Sequence, residues 1–289
     1  MESDRVMNPI EDNLDILPQH LYKYRPFDEI GYGVSLAVRG EAYFSSAKAL
    51  NDLFECHFIP VSKLENLEGA ELVHYLELKT KQHFPDADQT TFQEMVELAK
   101  KRSALIKAND PSIYNDVIHV QYKNVGILSL TEEYSSMPMW AHYAADHSGL
   151  CVGLRTKFIA LHQTELCRSS RLMMLHRINY RSEIPTTSVD IGINGMTEEQ
   201  RQEMVDTFCT KPLDGQYEKE LRLIFMGHVG RSYTFGTDAV GEVIVGARAS
   251  EANVEALLNE LRLHESTAVV KQAYRSNLTY GLSFEEIKL

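Results

Sequence analysis

Positive charge is scarce in this 289-residue chain: 29 Lys and Arg stand against 41 Asp and Glu, a formal net charge of −12. Such a surface repels a phosphate backbone, so the chain as a whole is a poor general binder of nucleic acid, although a local basic groove stays open. Long apolar runs are missing too. No window approaches the roughly 18 uninterrupted apolar residues that a membrane-spanning helix needs. The start, MESDRVMNPIEDNLDIL, has four acidic residues before Leu14 and no apolar run. It reads as a flexible leader over 1–13, neither a signal nor a transit peptide. The four cysteines, Cys56, Cys151, Cys167 and Cys209, show no C-x-x-C spacing, and reduced thiols in a cytoplasmic protein are the expectation. The sequence contains no Walker A loop, G-x-S-x-G, H-E-x-x-H, G-x-G-x-x-G or kinase signature. His142 and His147 do not share a helical face and have no carboxylate at ligand spacing beside them; no metal is expected, because zinc needs three or four convergent ligands.

What remains is ordinary globular material. Hydrophobic residues make up 44% and charged residues 24%, which excludes disorder, collagen-like repeats and a disulfide-stapled miniprotein. The length allows one large domain or two small ones. Leu17–Arg25 (LPQHLYKYR) reads as a strand ended by Pro26. Residues 28–39 read as a short helix stopped by Gly40, and Ala42–Ser45 as a strand. From Lys63 to Lys123 apolar residues recur at helical spacing, with breaks at Pro85 and at Asn109-Asp110-Pro111 and a third helix over 112–122. Strand patterns return at Val125–Leu130, Gly149–Leu154 and Met173–Tyr180, with a short amphipathic helix over Met137–Ala145. Thr197 reads as the N-cap of a further helix. Leu221–Phe225, Glu242–Val245, a helix over 250–263 and a strand over 267–274 complete the chain, the last three as a β-α-β unit. The expected fold is one α+β domain over 14–289, with a mixed or antiparallel central sheet and a helical insertion at 62–123.

Four clusters interleave polar residues with large aromatics. In Tyr22-Lys23-Tyr24-Arg25, strand alternation puts both tyrosines on one face and both cations on the other. That is either an edge strand with one solvated face or a cation beside aromatic rings, suited to a flat, phosphate-bearing ligand. Tyr43-Phe44-Ser45-Ser46 and then Asn51-Asp52-x-Phe54-Glu55 hold either helix caps or hydrogen-bonding groups for a carboxamide or a ribose. Met139-Trp140-x-His142-Tyr143 contains the only tryptophan. Trp140 reads as a core anchor, while His142 and Tyr143 close over a ligand in the functional reading, histidine being the residue type suited to proton transfer at physiological pH. In Tyr217-Glu218-Lys219-Glu220-Leu221-Arg222 an extended backbone points Glu218, Glu220 and Arg222 the same way. Three charges on one strand face are costly if buried unpaired. They form either an internal Glu–Arg pair or a carboxylate that orients a ribose hydroxyl and stabilises a developing positive charge.

As an ordered set, these clusters, at residues 21–25, 44–55, 139–153 and 217–222, resemble a bacterial domain-of-unknown-function family. The resemblance covers most of residues 17–275, and it implies an association with mobile elements and phage defence. A more distant likeness is to the Arg-Ser-Glu type of ADP-ribosyltransferases, on Tyr24-Arg25, Ser45-Ser46 and Glu218-Lys219-Glu220; the opening of the chain is similar to nucleic-acid-targeting toxins of that kind. It implies an ADP-ribosyltransferase-like core with NAD as co-substrate. In it Arg25 meets the NAD phosphate or ribose, Ser45 and Ser46 hold the nicotinamide side, and Tyr43 or Phe54 stacks on a ring. Glu220 is then the catalytic carboxylate and Glu218 orients the acceptor. The site would draw further on Tyr22, Tyr24, Asn51, Asp52, Trp140, Tyr143 and Arg222, with His142 as a catalytic candidate. The adjacent serines, where the family has Ser-x-Ser, and the long gap from Ser46 to Glu218 depart from its pattern.

Three functions follow as expectations. The first is an NAD-binding transferase effector, in phage defence or toxin biology. The second is a non-enzymatic module that senses a ligand or binds a protein partner through the helical block 62–123. The third is a hydrolase or nuclease built on Asp52, Glu55, His142 and Glu220.

Overall fold

The computed structural model describes residues 17–28, 31–61, 67–83, 85–108, 123–169, 171–188 and 198–289. Among these lie fourteen strands and seven α-helices. β1 (His20–Arg25), α1 (Tyr32–Arg39) and β2 (Glu41–Phe44) come first. β3 (Ile59–Val61), α2 (Gly69–His83) and α3 (Gln89–Lys107) follow, then β4 (Val125–Thr131), α4 (Met137–Tyr143), β5 (Leu150–Arg155) and α5 (Thr156–Arg168). β6 (Met173–Arg177), β7 (Asn179–Arg181), β8 (Thr186–Ser188), α6 (Glu198–Phe208) and β9 (Thr210–Pro212) lead to β10 (Glu220–Met226). β11 (Arg231–Thr234), β12 (Val240–Val245), α7 (Glu251–Leu263), β13 (Val269–Arg275) and β14 (Leu282–Ile287) end the chain. The fold is mixed α/β with a large, mostly antiparallel sheet. No described helix is long and apolar enough to cross a membrane.

The chain divides into two compact units. One takes the described residues up to Ala49, Val125–Ile178 and Leu213–Leu289; the other takes those of Leu50–Asn124 and Asn179–Pro212. The sequence reading treats 14–289 as a single domain with an insertion at 62–123. In the structure the second unit also draws in 179–212, because β3 pairs in parallel with β8. The leader 1–13, the third helix over 112–122 and the cap at Thr197 lie outside the described residues.

The first unit is built on a sheet of order β14-β13-β12-β5-β1-β4-β10-β6. Its pairings are antiparallel except β12 with β13, which α7 joins in the expected β-α-β unit. Side chains alternate across the strands, so each face has its own chemistry. Leu21, Leu128, Leu130, Val152, Leu154, Leu221, Leu223 and Val243 form one face, buried against α1, α5 and α7. The helix caps follow local rules. Asp28 Oδ1 accepts from the backbone N–H of Gly31 at 2.6 Å and of Tyr32 at 3.2 Å, and Gly40 ends α1 at φ 63°. Ser250 caps α7 by accepting from Asn253 N–H at 3.2 Å. The sequence reading has no element over α5, and it carries the strand from Met173 through to Tyr180. Here β6 stops at Arg177 and β7 starts a separate pairing with β9.

The second unit has two parallel two-stranded pairs, β3 with β8 and β7 with β9, and the helices α2, α3 and α6. Leu76 and Val96 are buried, whereas Leu78, Leu98 and Leu105 of the same helical pattern are exposed. Asp88 caps α3, its Oδ1 accepting from Thr91 N–H at 2.8 Å.

Candidate functional site

The other face of the large sheet is where the polar clusters meet. Strand register sets Glu242, Gly153, Tyr22, Thr131 and Glu220 directly opposite one another across β12, β5, β1, β4 and β10. Gly153 is necessary to that row. A Cβ there would lie 2.8 Å from the Tyr22 ring, so only the bare glycine lets the ring pass over β5. The Tyr22 hydroxyl then donates to Glu242 Oε2 at 2.6 Å, and Lys271 Nζ donates to Glu242 Oε1 at 2.7 Å. Burial, followed by the bond to Glu242, pushes the Tyr22 phenol well above its ordinary range. Burial also works to raise Glu242, but Lys271 and Tyr22 outweigh it and hold the carboxyl below the usual value.

At the other end of the row, Arg222 is fully buried and donates through Nε to Glu220 Oε1 at 2.7 Å and through Nη2 to Oε2 at 3.4 Å. They are neighbours on one strand face, as alternation requires. Glu218 departs from the sequence expectation. It closes a short 3₁₀ turn, Leu213–Glu218, and Lys219 takes a left-handed φ of 43° before β10 begins. The extended alternation therefore joins Glu220 to Arg222 but not to Glu218. Glu218 is brought in by tertiary contacts instead. Its carbonyl accepts from Thr131 Oγ1 at 2.6 Å, and its carboxylate accepts from the Tyr143 hydroxyl at 3.1 Å. Lys219 turns to Glu133, donating at 2.8 Å. This bond leads the effects that hold the Glu133 carboxyl low and the Lys219 amine high.

α4 lies on this face. Trp140 has no exposed surface; its Nε1 donates to Tyr134 O at 2.8 Å and its ring meets Tyr24 edge-on at 5.2 Å. Trp140 and Tyr24 are thus core, with no ring face left for a ligand, while the Tyr24 hydroxyl donates to Glu133 O at 2.9 Å. His142 is exposed on the helix, its ring edge-on to Tyr143. Beyond α4, Ala145, Asp146 and His147 take successive left-handed φ values of 46°, 52° and 69°. Each costs about 1–2 kcal/mol in a residue with a Cβ. The turn is held by backbone bonds, including Gly149 N–H to Ala144 O at 2.8 Å and Arg248 N–H to His147 O at 2.9 Å. A Cβ on Gly246 would meet His147 O at 2.2 Å.

The remaining expected site residues scatter. Arg25 alternates with Tyr24 on β1 and so faces away from Glu220, toward the side where Asp28 and Tyr32 act on it; burial leads in lowering its pKa. Ser45 bridges Ile127, which places it on the β4 face that carries Ser129 and Thr131. The Ser46 carbonyl accepts from Ala49 N–H at 3.0 Å. The Tyr43 ring packs against Tyr32 at 4.9 Å. Asn51, Asp52 and Phe54 belong to the second unit; Asp52 Oδ1 accepts from Phe54 N–H at 2.9 Å, and Glu55 pairs with Lys211 at 3.4 Å. Among the described residues no cluster of His, Cys, Asp and Glu has metal-site geometry.

Residues 139–223 match the family described as "Protein of unknown function (DUF2971)". The chain is similar to that family over this segment. The match carries no activity, but it spans both clusters that meet at Glu218, from Met139–Tyr143 to Tyr217–Arg222. No curated protein and no solved structure matches the chain.

Sequence reasoning missed Gly153, Thr131, Glu242 and Lys271. A signal existed for Glu242, a lone charge in an otherwise apolar strand, VGEVIV. Thr131 carried none, since its role depends on the turn that delivers Glu218.

Proposed function

We propose that the polar sheet face is a glycosyl-transfer site acting on NAD, in an effector of the kind that phage defence or a toxin uses. The nicotinamide–ribose bond breaks, its electron pair leaves with nicotinamide, and an acceptor nucleophile adds to the ribose carbon and loses its proton. The positive charge that builds on the ribose needs a fixed carboxylate beside it. The observation that supports the reading is the meeting of Glu218 with Tyr143 at 3.1 Å, from segments far apart in the chain. Glu218 is the carboxylate for that charge, held by the Tyr143 hydroxyl. Glu220 is the positioning residue, because its charge is already matched by Arg222 at 2.7 Å. Tyr22 and Ser45 share the face, with the Tyr22 hydroxyl committed to Glu242.

Incubating the whole protein with NAD and following free nicotinamide tests this. Glu218→Gln is expected to lower release by about 10²–10³, with an unchanged unfolding midpoint. Release at the wild-type rate from that variant overturns the assignment. A second reading, a ligand-sensing module without turnover, draws support from the same Glu220–Arg222 pair, since it neutralises one carboxylate of the face. NAD binding without nicotinamide release favours that module; neither binding nor release removes both readings.

A further inference from the structure

The second unit has a pocket of its own, walled by Phe54, Ile184, Pro185 and Pro212, with polar groups from Arg181, Thr210 and Glu183, whose carboxylate accepts from Ser182 Oγ at 2.7 Å. The walls are apolar and one of them, Phe54, is 54% exposed as a large ring. Lys211, also on the lining, is 4% exposed and has its charge met by Glu55 at 3.4 Å. Arg181 differs. Among the described residues it forms no ion pair. With the Asn179 amide oriented so that its oxygen faces the guanidinium, Arg181 donates to it through Nε at 2.9 Å and also through Nη2. A neutral amide fixes the fork without cancelling its charge. Thr210 is 8% exposed, and its Oγ1 is buried with no hydrogen-bond partner. A buried hydroxyl without a partner is a standing cost that a ligand acceptor removes.

We propose that this pocket binds a small organic carboxylate on a flat apolar body. The guanidinium charge, with the Nη hydrogens that Asn179 does not take, meets the carboxylate, the Thr210 hydroxyl supplies a further donor, and Phe54 with the two prolines takes the ring. This site is independent of the sheet face in the first unit, so its test stands whatever happens with NAD.

Titrating the full chain with benzoate, benzamide and acetate, by calorimetry, is the experiment. Benzoate is expected to bind saturably at one site. Benzamide, uncharged, and acetate, without a ring, each bind at least about tenfold more weakly. Arg181→Gln is expected to weaken benzoate by about tenfold or more. Thr210→Val keeps the side-chain shape and is expected to weaken it by about fivefold without lowering the unfolding midpoint, since it removes an unpaired buried hydroxyl. Absent saturable binding of benzoate overturns the proposal, as does equal binding of benzamide or wild-type affinity in both variants.

Discussion

The two faces of the large sheet are made by the same strands and obey opposite rules. On the apolar face, Leu21, Leu223 and Val243 are closed over by α1, α5 and α7. Each contact there is one of many, and the loss of one leaves a cavity with a graded cost. On the polar face the groups come in matched sets: Glu220 with Arg222, Tyr22 with Glu242 and Lys271, Glu218 with Tyr143. A matched set fails as a unit, because taking one member away strands the others. An apolar face therefore sets how stable the sheet is. A polar face with buried groups sets which arrangement is allowed.

The largest effect should come from splitting the buried pair. Arg222→Met is expected to destabilise by about 3–5 kcal/mol, since it leaves Glu220 buried without its counter-ion. Arg222→Met with Glu220→Leu should recover most of that loss in denaturant titrations. A double variant as unstable as the single one would mean that the two faces do not differ in this way. Next comes Leu223→Ala on the apolar face, at about 2–4 kcal/mol from transfer and cavity, a loss no second substitution across the sheet repairs. Gly153→Ala should cost about 1–3 kcal/mol, because its Cβ displaces the Tyr22 ring. Tyr22→Phe removes the same hydrogen bond without the clash and is expected to cost about 1–2 kcal/mol. If Gly153→Ala proves no worse than Tyr22→Phe, crowding by the Cβ is not what it disrupts.

The smallest effect is a pH dependence. Glu242 has its carboxyl held below the ordinary value of 4.5, so its contribution is present above that pH and is lost as pH falls through the lower folded value. Stability measured on the acid side should drop accordingly, and Lys271→Met should flatten that limb. An unchanged acid limb in Lys271→Met would show that the matched set does not titrate as a unit.

Much of the fold was legible locally. The alternation in LYKYR separates the tyrosines from the cations, and β1 places them on opposite faces. Gly40 stops α1, and the C-terminal β-α-β unit pairs in parallel as its pattern indicates. Trp140 is the core anchor its size points to. The candidate site was less legible. Residues 217–222 look like continuous alternation, but one left-handed residue, Lys219, breaks the period and sends Glu218 elsewhere. Motif order groups Arg25 with Glu220, although its own alternation with Tyr24 turns it to the other face.

The sequence by itself determined many of the strand and helix segments and, where the period is unbroken, which residues share a face, because periods of two and 3.6 are properties of a few neighbouring residues. Tertiary structure alone decided that Glu242, Gly153, Tyr22, Thr131 and Glu220 stand in one row. It alone decided that Glu218 meets Tyr143, and that 179–212 folds with the helical block. Register between strands far apart in the chain is set by which cores close and which buried charges find partners. No local period encodes that choice.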